Sequence, residues 1–117
     1  MNTAEARQFI ELRLQPDSDP VLTAHEVETL LPFAQTKDSE NRDPTDADWE
    51  PTYSVRGCYH AIAEGWNIKY AKAAERYSFA TDGQTFTVNQ LLDHCAHMAR
   101  RYRAKLQSSP STLETAL

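Results

Sequence analysis

Asp93, His94, Cys95 and His97 bring carboxylate, imidazole and thiol groups close together in the sequence, and on a helix His94 and His97, three apart, share a face. Such groups could ligate zinc, which takes nitrogen and sulfur donors in a tetrahedral set. One helix supplies only part of that set, so other ligands must come from elsewhere, and His60 and Cys58 are the candidates. The chain has no Cys-x-x-Cys, His-Glu-x-x-His or Glu-x-x-His pattern. Cys95 also falls on an apolar stripe, where a small buried thiol belongs. No metal and no cofactor are expected. A metal-dependent enzyme on the His94 and His97 face would have to purify with stoichiometric metal.

Nucleophilic chemistry has equally little local support. No serine sits in a Gly-x-Ser-x-Gly elbow. With only Gly57, Gly65 and Gly83, the chain cannot build a phosphate-binding glycine loop. Triad partners meet in space rather than in sequence, but nothing local marks a catalytic residue, and the chain is not expected to be an enzyme.

The remaining chemistry is electrostatic. Arg100, Arg101, Arg103 and Lys105, with Tyr102 among them, give the last helix a basic end. Cations there complement the helix dipole, and they are candidates for binding a partner. Residues 1–54 carry 12 acidic and 4 basic side chains, and residues 55–107 carry 4 acidic and 8 basic, within a net charge of −5. Complementary charge of this kind orients partners more than it sets affinity. A pI of about 5.3 is the reverse of a typical DNA-binding domain, so a protein partner is favoured over nucleic acid.

These groups have to be positioned by helices. At 117 residues the chain has room for one core, and three glycines are too few for a fold made of tight β turns. Thr3 is placed to cap a helix reaching Leu14, with Ala6, Phe9, Ile10 and Arg13 on one face. Pro16 and Pro20 end it. Thr23 and Glu26 form a capping box for a second helix over residues 23–34, with Val27, Leu30 and Leu31 on one face. Residues 35–52 read as a long acidic loop carrying Asp38, Glu40, Asp43, Asp46, Asp48 and Glu50, with Trp49 its one large apolar side chain.

Val55, Tyr59, Ile62, Trp66, Tyr70, Ala73 and Tyr77 then recur in steps of three and four, which predicts a long helix capped by Ser54. Beside that stripe Cys58, Ala61 and Gly65 leave room for another helix to approach. Phe79 to Phe86, with Asp82 and Gly83, predicts a short hairpin-like turn. Thr87 and Gln90 form a second capping box, opening a helix whose apolar face is Val88, Leu91, Leu92, Cys95, Met98, Ala99 and Tyr102.

The two long helices are expected to pack antiparallel, giving a mainly all-α domain over residues 1–107. Residues 108–117 hold too little apolar surface to fold alone and are expected to form an extended tail, with Leu113 and Leu117 available to dock on a partner. No membrane span is expected, and the N-terminus, with charges through its apolar part, reads as neither signal peptide nor anchor. Cys58 and Cys95 are expected to be reduced, buried thiols of a cytosolic setting.

The segment from Trp49 to Arg103 resembles a family of small structural proteins of tailed bacteriophages, the head-to-tail connector or adaptor proteins of the neck. The residues that carry the resemblance are Trp49-Glu-Pro-Thr-Tyr53, Ala61-Ile-Ala-Glu-Gly-Trp66, Phe79-Ala-Thr-Asp-Gly-Gln-Thr-Phe86, Gln90-Leu-Leu-Asp-His94 and Met98-Ala-Arg-Arg-Tyr102. It implies a virion protein, made in the host cytoplasm, that forms a dodecameric ring beneath the portal protein, receives the next neck or tail component, and lets DNA pass through its channel without sequence-specific binding. It also implies a C-terminal extension toward the portal, where residues 108–117 stand. The alternative is a small helical nucleic-acid-associated or regulatory protein using the basic helix end.

Overall fold

The computed structural model describes residues 1–78 and 82–116, and the side chains of 1–76 and 89–106. It is mainly helical, as the periodicity predicts. Helix α1 spans Thr3–Leu14, α2 spans Ala24–Leu30 and runs into a 3-10 turn at Leu31–Ala34, α3 spans Val55–Ser78, and α4 spans Asp82–Ala116. No strand occurs among the described residues, only an isolated bridge between Gln35 and Tyr53. No helix of the described residues is long and apolar enough to cross a membrane.

Helix α3 is the central element, and three others lie along it. Helix α1 runs parallel to it: the Thr3 hydroxyl donates to the Tyr53 hydroxyl, Phe9 packs edge-on to Tyr59, and Leu14 reaches Gly65. Helices α2 and α4 run antiparallel to it. For α2 the markers are Lys72 against Glu26 and Gly57 against Ala34. For α4 they are Trp66 against His94, Tyr59 against Tyr102, and Arg56 donating to the Leu106 carbonyl.

Because α3 is covered from several sides, its buried arc is wider than one stripe. Cys58, Ala61, Ile62, Ala63, Trp66, Lys69 and Ala73 are all buried. At the edges of the predicted stripe, Val55 and Tyr70 remain 47% and 42% exposed. Gly65, one of the small residues beside the stripe, does admit close neighbours, but from the N-terminal helices: a Cβ there would lie 2.6 Å from the Leu14 methyls. Gly57, outside that set, is as tightly approached, and a Cβ there would lie 2.6 Å from the Ala34 Cα.

Local signals place most helix starts. Thr23 and Glu26 form the predicted box, with the Glu26 N–H donating to Thr23 Oγ1 at 3.1 Å and the Thr23 N–H to Glu26 Oε1 at 2.8 Å. The Ser54 hydroxyl accepts the Gly57 N–H at 2.9 Å. The cap of α1 is Asn2 rather than Thr3, because Glu5, three residues after Asn2, closes the reciprocal box.

Two expectations near the C-terminus are corrected. Helix α4 has already begun at Asp82, so residues 82–86 are helical rather than hairpin, and the Thr87 and Gln90 pair falls inside the helix. An acidic side chain suits a helix N-terminus as well as a turn. Residues 79–81 of the predicted turn lie outside the described residues. The backbone of 108–116 continues α4, through Pro110, rather than forming an extended tail. A helix already nucleated upstream needs no new nucleus to propagate.

Candidate partner-binding surfaces

The basic residues of α4 do not form one patch. Arg100 and Arg103 face the side of α3 that carries Asn67 and Tyr70, and with Ala96 and Ala99 they line a shallow hollow of about 190 Å³. Arg103 stands 3.8 Å from the Glu64 carboxylate. Lys105 turns to the other side, its Nζ 5.3 Å above the Tyr59 ring, and Arg101 lies 5.9 Å from the Tyr102 centroid. The side chain of Leu113 and all of Leu117 lie outside the described residues.

On the Lys105 side, α1 contributes groups that sequence reading took only as a helix face. Phe9 meets Tyr59 edge-on at 5.5 Å, and Tyr59 stacks on Tyr102 at 6.0 Å. The Arg13 guanidinium sits 3.6 Å from the Phe9 centroid and donates to the Phe9 carbonyl. Three cations thus alternate with three aromatic rings across α1, α3 and α4, and each cation over a ring gains roughly 0.5–1 kcal/mol at a partly exposed site. No carboxylate of the described residues pairs with Arg13, Arg101 or Lys105.

The acidic loop of residues 35–52 is an organised unit. Asp38 is buried and accepts the N–H groups of Glu40, Arg42 and Glu50 at 2.9–3.0 Å and Arg42 Nε at 2.8 Å. Burial alone would push its carboxyl up. The N–H groups of Glu50, Arg42 and Glu40, with the Arg42 guanidinium, outweigh that and hold it well below the ordinary carboxylate range. Trp49 donates its indole N–H to the Thr36 carbonyl at 2.9 Å and packs against Tyr53. With Asp38 turned inward, Glu40, Asp46, Asp48 and Glu50 are left exposed on the outside.

A second polar centre lies inside. Lys69 is 0% exposed. Its ammonium donates to the Gln15 carbonyl at 2.6 Å and to the Ser18 carbonyl and hydroxyl at 3.2 and 3.1 Å, beside the Trp66 ring. Desolvation lowers its pKa. One signal in the sequence was available: Lys69 follows Cys58, Ile62 and Gly65 on the same row of α3, so it had to be buried with them.

His94, Cys95 and His97 are not gathered into a site. Cys95 is buried in the core, His94 packs edge-on against Trp66 on the surface side, and His97 is exposed. Among the described residues no three His, Cys, Asp or Glu side chains come together. Cys58 and Cys95 are free and buried, and burial pushes both thiols up.

No protein-family model, curated protein or solved structure matches the chain.

Proposed function

We propose that this chain is a non-enzymatic structural virion protein, a head-to-tail connector that forms a ring beneath the portal and links the DNA-filled head to the neck. The observation that carries the reading most is the relation of α4 to α3. Leu106 lies beside Arg56 at the start of α3, and α4 continues to Ala116. Ten residues therefore have no α3 alongside them, a projection of roughly 15 Å at helical rise. Such a projecting helix is suited to reaching another protein.

The motifs of the resemblance support the same reading. Trp49 and Tyr53 hold the base of the loop, Gly65 lies where α1 and α2 meet α3, Trp66 meets His94 of α4, and Tyr102 stacks on Tyr59 of α3. They belong to the scaffold that sets the arm and the loop in place. The loop and the basic residues of α4 would then meet neighbouring subunits or the next component, and the arm would meet the portal.

Native mass measurement and negative-stain imaging of the full chain with its portal test the proposal. A ring of about twelve copies on the portal, a number taken from the resemblance, is the expected result. A chain that stays monomeric and never binds a portal sinks it. A nucleic-acid-associated protein would instead bind DNA with a steep loss on added salt, abolished by alanine at Arg100, Arg101 and Arg103.

A further inference from the structure

We infer that the face formed by Phe9, Arg13, Tyr59, Arg101, Tyr102 and Lys105 receives the acidic loop, residues 40–50, of a second copy of this chain. This rests on the ring-forming part of the connector reading and supplies the two surfaces that reading leaves unassigned.

Three observations carry it. First, Arg13, Lys105 and Arg101 are held against Phe9, Tyr59 and Tyr102 without a carboxylate partner among the described residues. Ring contacts restrict these side chains and leave their charge uncompensated, so an incoming carboxylate meets cations already in place. Second, the loop offers the matching charge in a rigid form. Asp38 ties the backbone at residues 40, 42 and 50, Trp49 is bonded to Thr36, and Glu40, Asp48 and Glu50 point outward. Docking such a loop orders few further side chains.

Third, the two surfaces do not satisfy each other within one copy. The ion pairs of the loop are Lys37 with Asp43 and Arg42 with Asp38, and none reaches α4 among the described residues. Distinct, complementary surfaces on one chain give a head-to-tail contact, which repeats from copy to copy and closes into a ring when the rotation allows.

The alternative occupant of a cationic, aromatic face is single-stranded nucleic acid, whose bases stack on such rings. The overall negative charge of the chain disfavours it, and the loop supplies a better-matched partner at the concentration of the protein itself.

Paired charge reversal tests the contact in the full chain. Arg101→Glu with Lys105→Glu reverses the face. Asp48→Lys with Glu50→Lys reverses the loop without touching any side-chain hydrogen bond that holds it. Sedimentation velocity across a concentration series should show self-association that weakens with salt and falls at least about tenfold in each variant, a change of roughly 1.4 kcal/mol. An equimolar mixture of the two variants should associate again, because every face then finds a loop of opposite sign. Recovery in the mixture also shows that both variants are folded.

A wild-type chain monomeric at every concentration reached overturns the inference. So does association that neither reversal weakens, or no recovery in the mixture while both variants keep native helical circular dichroism. Binding of a single-stranded oligonucleotide, lost in the Arg101 and Lys105 variant while copies remain apart, overturns it in favour of nucleic acid. Portal binding is measured separately: if it fails while the reversals behave as expected, the connector reading falls and the contact stands.

Discussion

Lys69 has no carboxylate within bonding distance, yet it is among the most buried side chains of the described residues. Its three donors are matched by carbonyl and hydroxyl oxygens of the connection between α1 and α2. Replacing it with methionine keeps the stem and removes three charge-assisted hydrogen bonds, although the Gln15 carbonyl keeps the Ser18 N–H and hydroxyl, and should cost about 1–3 kcal/mol in chemical denaturation. Desolvation sets its folded pKa below the ordinary lysine value of 10.5. The unfolded chain then holds the extra proton as pH rises toward 10.5, so wild type should gain stability in that interval relative to Lys69→Met. Equal pH slopes for the two proteins would contradict this.

Asp38 is shifted in the same direction, so stability again rises with pH, but in an acid window. Its depressed carboxyl adds stability that is complete above the ordinary aspartate value of 3.8 and is lost only as pH falls well below it. Asp38→Ala should expose Trp49 to acrylamide quenching while leaving Trp66 buried. The burial of Lys69 could be read from its row on α3, but the inward turn of Asp38 could not. One acid in a run of six gives no sign that it turns inward, and that choice is made by three backbone N–H groups that only the folded loop brings together.

At the scale of elements, what was legible was local. Ser54, Thr23 and Glu26 act within one turn, so their spacing was sufficient, and the long helices followed from periodicity. What tertiary packing decides was less visible. Gly65 was recognisable as a point of close approach, but its neighbours are Leu14 and Leu30 of the N-terminal helices. Gly57 gave no sign of its contact with the Ala34 backbone. The two should respond differently to alanine. At Gly57 the obstruction is main chain, and the substitution should cost about 1–3 kcal/mol. At Gly65 the obstruction is a side chain, and a helix-propensity gain of about 1 kcal/mol offsets part of the strain. Denaturation midpoints should therefore rank wild type, Gly65→Ala, Gly57→Ala in falling order.

The charge pattern survived the passage from sequence to structure only in part. The basic cluster on α4 looked like one surface and is two, because residues 100 and 103 project to one side of the helix and 101 and 105 to another. Arg13, which completes the second surface, comes from almost ninety positions away, a separation no helical periodicity can bridge.

The whole molecule is long and thin, 57 × 36 × 20 Å with a radius of gyration of 16.7 Å, against about 13 Å for a compact chain of this length. Helix α4 accounts for it, since 35 residues span roughly 52 Å. The buried core of the described residues ends at Tyr102. A chain shortened to residue 107 should accordingly keep its thermal midpoint within a few degrees, readable by calorimetry, and on the connector proposal it should lose the portal in co-sedimentation. A large drop in the midpoint would assign the arm to the fold instead.

Lys69, Lys72 and Arg76 occupy successive turns of α3 and hold, in order, the end of α1, the start of α2 and Asp19 between them. The apolar residues of the same region, Ile10, Leu14 and Leu30, join a core that α3 completes. On a ribosome the first fifty residues emerge before any of these partners exists. They can form transient helical turns but cannot complete their core until α3 has been made.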